Sequence, residues 1–203
     1  MRHVQEHLLN SWRSHVTHWN ACTRCSCAGG SKVFGDGKLP CDVLYVTSHP
    51  EAADVFNDKL MSVGNVARTW VELQKAVRSR VGVYSWFAVS LLACQPTAVV
   101  DGETVMQSRP PCKEEIESCS ARLHEVLRLS SPKKIIALGD GPAKVVKGWY
   151  GKKSTGLGFL LPETWHKELS VEYVSLQGGA ESLAGKKWIG RVANYLEGVC
   201  DAG

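Results

Sequence analysis

Four cysteines set the chemical question: Cys22 and Cys25, joined as Cys22-Thr-Arg-Cys25, and the later Cys94 and Cys119. A C-x-x-C pair alone can be a redox couple, half of a zinc site or half of an iron–sulfur site. Cys94 closes the apolar run Ser90-Leu-Leu-Ala-Cys94, and Cys119 lies in the helical segment Glu114-Glu-Ile-Glu-Ser-Cys119. Thiolates from a loop, a strand end and a helix suit tetrahedral zinc and an iron–sulfur cluster equally, so spacing leaves both open. Cys27 extends the motif to C-x-x-C-x-C and competes as a ligand. Cys41, at the start of a strand, and Cys200, in the tail, read as small buried or surface thiols.

The elements that must position these residues alternate along the chain. Apolar residues at Val4, Leu8, Leu9, Trp12 and Val16 predict a helix over 3–18. Asn20 to Lys38 is rich in Cys, Gly and Ser with no period, a long loop that needs something to hold it, and a metal centre would do so. Cys41–Val46 reads as a buried strand, Val66–Arg80 as a helix, Tyr84–Leu92 as a strand and Gln95–Pro111 as turn-rich. Pro110 and Pro111, followed by Glu114 and Glu115, open a helix over Lys113–Leu129. Lys133–Leu138 is a buried strand, and Gly139-Asp-Gly begins a helix to about Trp149. Strands near Phe159–Leu161 and Val171–Leu176 and a last helix over Gly185–Val199 follow. Such alternation predicts an α/β fold with a mostly parallel central sheet, in one domain spanning 1–203.

With 44% hydrophobic residues in 203, the chain can bury one sizeable core. It has no apolar run near 18 residues and no signal-peptide centre, so the expectation is a cytoplasmic protein without a membrane span, in a reducing compartment that favours ligand or buried cysteines. The net charge of +4 permits nucleic-acid binding without demonstrating it. The seven tryptophans read as core rather than as a base-stacking set.

The surrounding residues carry a family resemblance. Cys22-x-x-Cys25, Val33-Phe-Gly-Asp-Gly37 and Cys41-Asp-Val-Leu-Tyr-Val46 resemble the start of an iron–sulfur uracil-DNA glycosylase of the family-4 type. Leu92-Ala-Cys94-Gln-Pro96, Arg109-Pro-Pro, the Glu114–Leu123 helix and Pro132-Lys-Lys-Ile-Ile-Ala-Leu-Gly139 continue the likeness, which spans about 20 to 197. The resemblance implies a three-layer α/β/α sandwich and a 4Fe-4S cluster held by Cys22, Cys25, Cys94 and Cys119. In that family the cluster is structural and clamps a DNA-facing loop. DNA is the implied partner, with replication or repair proteins as further partners, and the chain is expected to act as a monomer.

The active-site motifs depart from the family. Its G-E-x-P-G-x-x-E-D motif falls on Thr47-Ser48-His49-Pro50-Glu51-Ala-Ala-Asp54, which keeps the proline and the first acid. The ring that stacks on the flipped base falls at Ser62, the base-reading asparagine at Ser90 and the late histidine at Gln177, with His166 as a rival match. A glycosylase must flip a nucleotide, read its edge, activate water and stabilise the departing base. Loss of ring, amide and histidine together argues against ordinary uracil excision. Smaller residues at Ser62 and Ser90 would enlarge the pocket for a bulky modified pyrimidine, such as a viral cytosine or uracil derivative. Asp54 and His49 are the candidate catalytic groups, and Ser48, Glu51, Ser62, Ser90 and Gln177 the candidate substrate contacts. The other expectation is a catalytically inactive scaffold that binds DNA or a replication assembly. In bland terms, Asp54 caps a helix near 55–62, His49 is a loop residue, and Lys144, Lys147, Lys152 and Lys153 form a solvated face rather than phosphate contacts.

Overall fold

The apolar runs Val43-Leu-Tyr-Val46 and Ile135-Ile-Ala-Leu138 build the centre of the sheet, as expected of parallel strands buried on both faces. The computed structural model describes residues 2–100, 103–151, 171–174 and 183–197. In chain order the elements are α1 (Arg2–Asn20), β1 (Asp36–Gly37), β2 (Val43–Thr47), α2 (Ala52–Asn57), α3 (Gly64–Val81) and β3 (Trp86–Ser90). There follow β4 (Thr97–Val100), β5 (Glu103–Ser108), α4 (Lys113–Ser130), β6 (Lys134–Leu138), α5 (Asp140–Gly151), β7 (Val171–Val174) and α6 (Leu183–Tyr195).

The sheet runs β1-β3-β2-β6-β7. Strands β3, β2, β6 and β7 are mutually parallel, and β1 pairs antiparallel on the β3 edge. Among the parallel strands the chain starts at β2, adds β3 on one side, then crosses through α4 to β6 on the other. The strand order therefore reverses at β2, and in open α/β sheets ligands bind beyond the carboxyl ends at such a point.

Period-2 alternation assigns the two faces. Val43 and Tyr45 of β2, Ala88 of β3 and Ile136 and Leu138 of β6 share one core with Trp70, Leu73 and Val77 of α3 and Trp188, Val192 and Ala193 of α6. Leu44, Val46, Phe87, Val89 and Ile135 point the other way, into a core with Leu123, Val126 and Leu127 of α4 and Val146 of α5, against which Trp12 of α1 packs. Helices thus cover both faces of a mostly parallel sheet. Trp19, Trp70 and Trp188 are buried, and Trp70 meets Tyr45 and Trp86 edge-on at 4.7 and 5.1 Å, so these rings are core.

Two local features explain residues of the opening motif. Gly37 sits at φ 121°, and a Cβ there would lie 2.4 Å from the Trp86 carbonyl, so only glycine lets β1 pair with β3. The cysteine-rich loop is tied down by the protein itself: Lys32 bridges Cys94, and Val33 N–H donates to the Ala93 carbonyl at 2.8 Å.

One expected segment differs. Gln95–Pro111, read as turns, contains the antiparallel pair β4–β5. Thr97–Val100 and Glu103–Met106 are rich in β-branched residues around Asp101-Gly102, a strong hairpin signal that the flanking prolines obscured. The expected strand near Phe159–Leu161 lies outside the described residues.

Candidate functional site

The carboxyl end of β2 leads into Thr47-Ser48-His49-Pro50, and β3 ends on Ser90 beside it. Thr47 and Ser90 are register partners, and the ladder continues as Leu91 N–H to the Thr47 carbonyl (2.9 Å) and Leu92 N–H to the Ser48 carbonyl (3.3 Å). Two of the sequence-derived site segments are therefore neighbours because parallel strands place their carboxyl ends together.

His49 is the side chain here best suited to proton transfer. Its Nδ1 lies 3.0 Å from Ser48 Oγ, and its Nε2 lies 3.5 Å from a Glu51 carboxylate oxygen. Burial lowers its pKa; Glu51 opposes that shift, Arg109 adds to it, and Asp54 and Glu115 oppose it more weakly. The imidazole is accordingly neutral near pH 7, the state a general base requires. Two residues earlier, the buried Thr47 Oγ1 has no hydrogen-bond partner among the described residues.

Asp54 does different work. It is 7% exposed and accepts three hydrogen bonds: Glu51 N–H to Oδ2 at 3.1 Å, and Ser62 N–H (2.8 Å) and Ser62 Oγ (2.9 Å) to Oδ1. The carboxylate closes the first turn of α2 and pins the return loop, in which Asp58 and Met61 both adopt positive φ. The structure brings the candidate site residues Asp54 and Ser62 together as hydrogen-bond partners of each other. Asp54→Ala would leave two backbone N–H groups without acceptors, and a loss of about 1–3 kcal/mol in urea unfolding is expected. A variant as stable as the parent would contradict this role.

Ser90 is fully buried; its hydroxyl donates to the Leu92 carbonyl, and its own carbonyl accepts from Arg122 Nη2. Gln177 lies outside the described residues, as do His166, Lys152 and Lys153. Lys144 is exposed on α5, consistent with a solvated position.

Sequence reasoning missed a second polar cluster next to His49, centred on Glu115. This carboxylate is 2% exposed and accepts from Arg109 (Nη2 to Oε1 at 2.5 Å, Nη1 to Oε2 at 2.9 Å), Ser26 Oγ (2.8 Å), Cys27 Sγ (2.9 Å) and Cys112 N–H (2.9 Å). The Arg109 guanidinium, outweighing the effect of burial, holds the Glu115 carboxyl well below its ordinary range, and Arg109 is raised in turn. Burial and the Glu115 hydrogen bond push the Cys27 thiol up to about 12. In this structure Cys27 is a donor to Glu115. The signal was present: an acid at the third helical position after Pro110-Pro111 caps α4 as Asp54 caps α2.

The four candidate metal ligands are all free thiols. Cys25, Cys94 and Cys119 belong to one neighbourhood: Cys25 and Cys119 pack against the core that contains Cys94. Burial pushes the Cys94 thiol up to about 11; Lys32 and Arg122 oppose that rise, while Cys119 and Cys25 add to it. Cys22 follows α1, its N–H donating to the Trp19 carbonyl at 3.1 Å, three residues before Cys25. Among the described residues no three His, Cys, Asp or Glu side chains stand as a ready ligand set. The donors are nonetheless of one soft type, with cationic Lys32 and Arg122 beside Cys94, which suits a metal group held by thiolates.

No protein-family model matches the chain, and no curated protein matches it.

Proposed function

We propose that the protein is a DNA glycosylase of the uracil-DNA glycosylase type that excises a bulky modified pyrimidine by hydrolysis of its N-glycosidic bond. The observation that carries this reading is His49, held between Ser48 and Glu51 at the carboxyl end of β2 and kept neutral by burial. A neutral imidazole there can take a proton from water as its oxygen bonds to C1′ of a flipped nucleotide, while the C1′–N bond breaks and its electron pair leaves with the base. Thr47 Oγ1, buried at the same strand end and without a partner among the described residues, is a further polar group there. The resemblance of the motif order to iron–sulfur uracil-DNA glycosylases supplies the substrate class.

Under the same proposal Cys22, Cys25, Cys94 and Cys119 hold a 4Fe-4S cluster. Bound there, the cluster would pin the loop after α1 to the end of β3 and to α4, a structural task. The purified protein is expected to be brown with broad absorbance near 400 nm, and Cys94→Ala to lose both. A colourless protein that binds zinc stoichiometrically would overturn the cluster.

The reading is tested by incubating the protein with DNA carrying uracil, hydroxymethylcytosine or glucosylated hydroxymethylcytosine and measuring abasic sites. One set of observations favours a noncatalytic DNA-binding scaffold instead: Asp54, Ser62 and Ser90 all spend their polar groups on internal bonds. That reading predicts DNA affinity unaffected by His49→Ala, with no abasic sites on any substrate.

A further inference from the structure

Arg122 on α4 is 1% exposed, and its contacts do not neutralise it. Its Nε donates to Cys119 Sγ at 3.3 Å, and its Nη2 donates to the Ser90 carbonyl and, at 3.2 Å, to the Leu91 carbonyl. Its Nη1 is buried without a partner among the described residues. Among the described residues no carboxylate forms an ion pair with it. A guanidinium keeps its proton in a protein, and a buried charge persists where an opposite charge meets it. Carbonyl oxygens and a neutral thiol solvate the cation without cancelling it. The side chain in contact that can become an anion is Cys119, with Cys94 close enough to feel the same charge. Metal-bound cysteines are thiolates at neutral pH, and four of them around an iron–sulfur core leave a net negative charge.

We propose that Arg122 is the fixed counter-ion of the cysteine-held group and the brace that ties it to the end of β3 at Ser90 and Leu91. This rests on Cys22, Cys25, Cys94 and Cys119 being cluster ligands. The N–H···S bond and the buried positive charge both favour the more reduced state of a bound cluster, so they raise its potential. The two carbonyl bonds fix the strand end from which Ser90 and, through Leu92 N–H, Ser48 are positioned. Arg122 is thus a positioning residue, joining the cysteine centre to the crevice wall.

The test uses the full chain reconstituted anaerobically with iron and sulfide, as wild type, Arg122→Gln and Arg122→Lys. Arg122→Gln is expected to load iron, to show a lower reduction potential than wild type, and to surrender iron to a chelator at least about 10-fold faster. Arg122→Lys, which keeps the charge but not the fork, should hold a potential near wild type while releasing iron faster. Wild-type potential and release rate in Arg122→Gln would overturn the proposal. Should that variant not fold, Arg122→Lys decides alone, and a wild-type release rate overturns it. If wild type itself takes up no iron and sulfide, the cluster assignment fails first, and this inference falls with it.

Discussion

Glu115→Ala is expected to be the most destabilising single change on the crevice side of the molecule, at about 2–4 kcal/mol in urea unfolding. The carboxylate joins three segments: the cysteine loop through Ser26 and Cys27, the β5–α4 connection through Arg109, and the first turn of α4 through Cys112 N–H. Removing one partner of a buried ion pair costs about 3–5 kcal/mol, because the other charge is left unpaired. Arg109 is 34% exposed on its side chain, and water reaching it trims that figure. The pH dependence has a definite sign. The Glu115 carboxyl is held below its ordinary value, so its contribution is fully present above about pH 4.5 and is lost as pH falls below that. Wild type and Glu115→Ala should therefore converge in stability on acidification. Equal stabilities at pH 7 would refute the role.

His49→Ala carries the largest expected effect on activity. Base release should fall about 10²- to 10⁴-fold, the usual range for losing a positioned general base. Because burial lowers the His49 pKa, its neutral form dominates above about pH 6.5. The wild-type rate should rise with pH through a midpoint below 6.5 and then level off through pH 8. His49→Ala should abolish that rise while shifting the unfolding midpoint little, since the ring's hydrogen bond to Ser48 and ion pair with Glu51 lie within its own loop. A pH profile with an unchanged midpoint in the variant would assign the proton transfer to another group.

Much of the fold was legible because two periods dominate it. The 3.6-residue apolar rhythm gave α1, α3 and α4 within a few residues of their observed bounds, and short apolar runs gave β2, β3 and β6. The β4–β5 pair was hidden because its signal, Asp101-Gly102 between β-branched residues, sits among prolines that argue for turns. The site divided the same way. That Ser48, His49 and Ser90 gather at strand ends follows from parallel pairing, and the sequence could show it. The partners of Asp54 and Glu115 could not be read, because each depends on a tertiary approach: Ser62 returning to α2, and Ser26 and Cys27 folding onto α4. Hence two acids of similar position, each the third residue of a helix, looked unlike. Asp54 reads from the sequence as either a catalyst or a helix cap and Glu115 as a first-turn acid; in the structure both make capping bonds, with Glu115 the more deeply buried hub.

The division of labour that results is simple. Asp54 and Glu115 hold the loops around His49, Arg122 braces the end of β3, and burial keeps the His49 ring neutral. Catalysis on a flipped base would thus depend on an imidazole where the resembling family relies on other residues.

The most direct measurement is the free base released from single- and double-stranded DNA bearing glucosylated hydroxymethylcytosine, hydroxymethylcytosine or uracil, identified by mass and matched to abasic sites on the strand. The proposed function predicts release of a bulky modified pyrimidine in preference to uracil, lost in His49→Ala. No free base and no abasic site from any of the three, by an iron-loaded protein that binds the same DNA, would contradict it.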